Sequence, residues 1–144
     1  MNLNIPYMET DNKLLNDAYR IAAGDIVGNI VYYQNGLLTE EKPCMIAGLD
    51  YNTPWTRDTA INIWNALSIL SPEVSKNTLL AVLEEEEGNI YIGGQYWDSI
   101  IWMIGAREYC RFHKDDNFYR LAFEAGRNSV HRLEEGEFDE EDGL

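Results

Sequence analysis

Apolar residues spaced three and four apart recur along most of this chain, and that period decides what it can fold into. From Asp11 onward, Leu14, Leu15, Ala18, Tyr19, Ala22, Ile26, Val27, Ile30 and Val31 follow this spacing, which marks one face of a helix. Asn35-Gly36 ends the run, as such pairs do. Gly24 and Gly28 lie within it and would admit a close neighbour at some cost in helix propensity. Four more helical segments follow, at about 58–70, 72–85, 98–113 and 117–133. The start of the third is clear. Ser71 suits an N-cap, Pro72 the first helical position and Glu73 the positive helix end. Gly88 stops it, and Glu84 to Glu87 is expected to be its solvated end. Asp98 and Ser99 can cap the fourth helix, and Asp115-Asp116-Asn117 the fifth. The predicted fold class is all-α, a single domain of about five helices in antiparallel hairpins.

The connections alternate between long and short. Residues 36–57 carry Pro43, Gly48 and Pro54 and exceed the roughly 12–15 residues usual for a structureless loop. The second long connection is Asn89 to Trp97, where Ile90 and Ile92 allow a short strand. With antiparallel helices, both long loops would emerge at the same end, where loops on a rigid scaffold usually carry function.

The formal net charge of −14 argues against nucleic acid and anionic membrane surfaces, which recruit Lys and Arg. No apolar run reaches the roughly 18 residues of a membrane span. The N-terminus shows no basic region followed by an apolar stretch, so no signal peptide is visible and a cytoplasmic location is favoured. Cys44 and Cys110 give neither a disulfide framework nor metal spacing. Glu137 to Asp142 is acidic but lacks the spacing of a calcium loop. Neither metal nor cofactor is expected.

Two segments carry candidate chemistry. Tyr51-Asn-Thr-Pro-Trp-Thr-Arg-Asp58 joins flat aromatic faces to a planar donor fork and a carboxylate. Gly93-Gly94-Gln95-Tyr96-Trp97-Asp98 joins an aromatic pair, an amide and a carboxylate at another helix start. Such groups suit a sugar, whose C–H face stacks on an aromatic ring and whose hydroxyls bond to carboxylates. A plainer assignment competes. Asp58 would cap the second helix with Arg57 as its surface ion pair, Asp98 would cap the fourth, and Trp97 and Trp102 would be core.

At Pro54-Trp55-Thr56-Arg57-Asp58, between one helix and the next, the chain resembles the six-hairpin glycosidases, the (α/α)6 toroids of glucoamylases, trehalases and glycogen-debranching enzymes. The resemblance implies an N-terminal part of such a toroid, with a carbohydrate as substrate. It implies that Arg57 and Asp58 hold the sugar at the cleaved bond, with Trp55 beside them. Tyr51, Gln95, Tyr96, Trp97 and Asp98 join them as substrate-binding candidates. A full toroid has twelve helices, and the family's general acid lies after the fifth. The expectation is therefore a truncated domain that lacks the acid/base pair, carries no assigned catalytic residue and is inactive alone. The alternatives are a non-catalytic helical module that binds sugar or a partner protein, and a fragment that self-associates through uncovered helix faces.

Overall fold

The computed structural model describes residues 5–48 and 50–137. Among the described residues there are five helices and four short strands, so the fold is mixed α/β and the all-α expectation is overturned. Helix α1 spans Lys13–Gly28. Strands β1 (Ile30–Tyr33) and β2 (Lys42–Met45) pair antiparallel, with Ile30 opposite Met45. Helix α2 starts at Thr56–Asn62, passes through a π-helical turn at Ile63–Leu67 and finishes at Ser68–Leu70. Helix α3 spans Pro72–Ala81. Strands β3 (Leu83–Glu86) and β4 (Asn89–Ile92) form a second antiparallel pair. Helices α4 (Asp98–His113) and α5 (Asp116–Glu137) complete the chain. Of the acidic segment Glu137 to Asp142, all beyond Glu137 lies outside the described residues.

The first strand of each hairpin occupies a segment whose sequence also reads as helix, whereas β4 is the short strand that Ile90 and Ile92 allow. The first helix does not run to Asn35. It ends where the Asn29 N–H turns back onto Asp25 O, and the β-prone run Ile-Val-Tyr-Tyr then pairs with a distant strand. The third helix ends at Ala81, four residues before the expected boundary. Glu87 (φ 51°) and Gly88 (φ 81°) both have positive φ, as the two central residues of a tight hairpin turn require. Gly88 therefore turns one strand into another. Glu84, expected at a solvated helix end, lies in β3 opposite Tyr91.

Helices cover the outer edges of these small sheets. The Met45 N–H donates to Thr78 Oγ1 (2.9 Å) and Asn77 Nδ2 to Pro43 O (3.2 Å), seating β2 on α3. The Ile92 N–H donates to Ser129 Oγ (2.8 Å) and Asn128 Nδ2 to Ile90 O (3.1 Å), seating β4 on α5. Each helix thus satisfies strand groups that would otherwise offer an open edge.

The core lies between α2, α3, α4, α5 and the second hairpin. Trp102, Ile63, Leu67, Leu79, Leu83 and Val74 are buried there. The Trp102 indole N–H donates to Leu79 O at 3.3 Å, so this large ring is buried without an orphaned donor. Helices α2 and α4 pack closely at Gly105, where a Cβ would lie 2.8 Å from Ala60 Cα. Helix α1 is peripheral and buries no residue. Among the described residues, no neighbour fills the space beside Gly24 or Gly28, so the close packing expected there is not found. Among the described residues, no helix is long and apolar enough to cross a membrane.

Candidate functional site

The site begins where the two long connections meet. Trp55 is the extended residue before α2, and its carbonyl accepts from the Thr59 N–H at 2.8 Å. The next residue, Thr56, is buried and donates its hydroxyl to Gly93 O at 2.7 Å. That single bond pins the start of α2 to the loop before α4. Gly94 lies beside it at φ 119°, and a Cβ there would sit 3.0 Å from both Thr56 Oγ1 and Asp98 Oδ2. Only glycine suits this combination of backbone and space.

Arg57 crosses from one loop to the other. Its Nε and Nη2 donate to Asp98 Oδ1 at 3.0 and 2.8 Å. Its guanidinium lies 4.5 Å from the Trp97 ring centroid, a cation–π distance. Asp98 is the first residue of α4 and is 7% exposed. Its Oδ2 accepts from the Gln95 N–H at 3.1 Å. The buried carboxylate is thus compensated by one guanidinium and one backbone N–H, in the charge-assisted geometry that makes burial tolerable.

The plainer assignments for the two aspartates do not hold. Neither the residue before α2 nor the one before α4 makes a side-chain cap bond. Arg57 pairs with Asp98, 41 residues away, and not with its neighbour Asp58. Asp58 stands exposed in the first turn of α2, where a negative charge favours the helix dipole. Trp102 is core, whereas Trp97 is half exposed.

Around the ion pair opens a cleft of about 380 Å³, within the usual range for small-molecule sites. Trp55, Thr56, Arg57, Gln95 and Asp98 line it, with Asn35 and Glu84 on the facing side. Tyr51 stands behind Trp55 in an edge-to-face contact at 5.8 Å. Tyr96 faces a neighbouring cleft. The two candidate segments therefore converge, although Tyr51, Asp58, Tyr96 and Trp97 are not part of the first cleft's lining.

Three contributors escape a reading of the sequence. Thr56 gives only one signal, a small hydroxyl residue at a helix start inside an aromatic loop. Asn35 and Glu84 give none, because the segment after β1 and strand β3 deliver them. Among the described residues, no group of three or more His, Cys, Asp or Glu side chains is placed to hold a metal ion. The cysteines lie elsewhere. Cys44 is buried and Cys110 half-buried, and desolvation pushes the Cys44 thiol up to about 12 against a weaker opposing hydrogen bond with Thr78.

No known protein family, curated protein or solved structure matches this chain.

Proposed function

We propose that this chain forms a sugar-binding cleft of a carbohydrate-processing protein. The observation that carries the proposal is the Arg57–Asp98 pair held against Trp97 at a cleft edged by Trp55. The pair leaves the outer guanidinium donors rigidly presented, and Arg57 remains about half exposed. A sugar ring has an apolar face for Trp55 and hydroxyls for Arg57, Gln95, Asn35 and Glu84. A neutral polyhydroxyl ligand also suits a chain of net charge −14. The resemblance of Pro54-Trp55-Thr56-Arg57-Asp58 to the six-hairpin glycosidases points the same way and would put Arg57 and Asp58 at the cleaved bond.

The chain supports binding better than cleavage. Glycoside hydrolysis needs two carboxyl groups flanking the bond, about 5–5.5 Å apart for retention or about 6.5–9.5 Å for inversion. Asp98 already accepts from Arg57 and Gln95 through its two oxygens, which makes it a positioning residue. No catalytic residue is assigned. Calorimetric titration with neutral mono- and oligosaccharides tests the proposal. Arg57→Met should weaken binding about tenfold or more, as loss of a charged hydrogen bond of about 1.5–3 kcal/mol implies, and Trp55→Ala should weaken it through loss of the stacking ring. Saccharide affinity unchanged in both variants would sink it.

A second reading, a self-associating interaction module, has its own support. No residue of helix α1 is fully buried, and Leu14 and Trp64 are 78% and 53% exposed. Exposed apolar side chains mark an association surface where they form one contiguous patch. Sedimentation equilibrium separates the readings, because the cleft requires no second copy.

A further inference from the structure

A second cleft, of about 280 Å³, opens between the β3–β4 hairpin, the start of α4 and the end of α5. It shares Glu84, Gly93 and Gly94 with the first cleft. The glycines form a ridge between the two. A Cβ on Gly93 would lie 2.6 Å from Glu84 Oε1, so glycine at that position lets the Glu84 carboxylate rest against the ridge and face both sides.

The lining of the second cleft is polar and aromatic. Ser99 is 6% exposed, and its hydroxyl has no hydrogen-bond partner among the described residues. Native proteins seldom leave such a group unsatisfied without cause. Ser129 Oγ accepts from the Ile92 N–H, which leaves its own proton free to donate. Arg132 stacks 3.4 Å over the Tyr91 ring and bonds to Glu86 at 2.6 Å, so the one cation in the lining is already neutralised. That balance disfavours an anionic ligand and suits hydroxyls.

Tyr96 adds a separate observation. Its φ is 50° while its side chain is 70% exposed. A bulky residue rarely adopts this backbone region, and strain of this kind gathers at ligand clamps. The strained backbone holds an aromatic ring at the rim of the second cleft, where no core contact accounts for it.

We propose that the second cleft is a further sugar subsite, joined to the first across the Gly93–Gly94 ridge, so that the bound ligand is a chain of at least two sugar units with Glu84 between them. This inference rests on the carbohydrate function proposed for the first cleft. Tyr96 stacks on the second ring, and Ser99 and Ser129 bond to its hydroxyls. The ligand is neutral and follows the ridge.

Amide shifts of the isotope-labelled chain, followed during titration with glucose, maltose, cellobiose, maltotriose and cellotriose, test the proposal. Glucose should shift the amides of Arg57 and Gln95 alone. At least one disaccharide should also shift those of Ser99, Ser129 and Arg132, and bind about tenfold more tightly than glucose, equivalent to about 1.4 kcal/mol. Tyr96→Gly, which suits the positive φ, should erase that gain and leave glucose binding intact. Disaccharides no tighter than glucose, or tighter with no shift at Ser129 and Arg132, would overturn the second subsite and leave the first standing. If no sugar moved Arg57 or Gln95, both proposals would fall together.

Discussion

Gly105→Ala probes the contact that sets the geometry of the site. The added Cβ would lie 2.8 Å from Ala60 Cα, 3.0 Å from Ala60 O and 3.2 Å from Ala60 Cβ, where ordinary contact begins at 3.4 Å. The two nearest atoms are backbone, so no rotamer change relieves the overlap and α2 must move away from α4. Overpacking of this kind costs about 1–3 kcal/mol, while replacing a mid-helix glycine with alanine recovers up to about 1 kcal/mol. The expected net loss is up to about 2 kcal/mol, at roughly 2–4 °C of melting temperature per kcal/mol for a chain of this size. Arg57 lies on α2 one turn before Ala60, and Asp98 starts α4. Separating the helices should therefore lengthen the Arg57–Asp98 bonds and weaken saccharide binding as well. Gly126→Ala is the control, because its Cβ would meet only the flexible Met103 thioether, at 2.7 Å. That variant should melt at or above the wild-type temperature. Thermal melts of both variants decide the matter. A Gly105→Ala protein as stable as wild type, with unchanged ligand affinity, would refute the close approach of α2 and α4.

Three further outcomes are expected. Gly24→Ala in the peripheral helix should raise stability by up to about 1 kcal/mol, since nothing lies within 4 Å of the new Cβ, and a lower melting temperature would mean that α1 packs against a neighbour there. Lys76 lies 2.6 Å from Asp115 and is the leading cause that holds its carboxyl below the usual range. The folded-state value is depressed, so this stabilisation is present above about pH 4 and is lost as pH falls through the depressed value. Asp115→Asn should flatten that acid limb in melts recorded from neutral to low pH, and an unaltered limb would remove Asp115 from the cause. Finally, the Cys44 thiol is fully buried and shifted up to about 12, so iodoacetamide at about pH 8 should leave it unmodified until the chain is denatured. Peptide mass spectrometry showing rapid labelling of native protein would contradict its burial.

Local signals made the helices and the short strand at Ile90–Ile92 legible and left the other three strands hidden. Ser71-Pro72 marks the start of α3, and the Ser71 side chain does accept from the Val74 N–H there. Helix α4 occupies the segment its period indicates. The hairpins depend on partners far along the chain. Leu83–Glu86 has poor strand propensity, and its place is set by β4, which bonds to Ser129 and Asn128 of α5. Ile30 and Val31 continue the helical spacing of α1, yet pairing with Met45 and Cys44 prevails. The candidate site divides in the same way. Its aromatic and charged segments stand out as sequence, but adjacency suggests an Arg57–Asp58 pair where the fold makes Arg57–Asp98. Glu84 reads as one acid in a solvated run, and the alternation of β3 turns it toward the cleft.

The four tryptophan indole N–H resonances test the central claim most directly. Trp55 edges the first cleft and Trp97 lies against the Arg57 guanidinium, whereas Trp102 is buried in the core and Trp64 is exposed on α2 beyond the cleft lining. When the chain is titrated with maltose or cellobiose, the Trp55 and Trp97 resonances should shift in a saturable way while those of Trp64 and Trp102 stay still. A titration in which no indole moves, or in which only Trp64 responds, would contradict a sugar-binding site at the Arg57–Asp98 cleft.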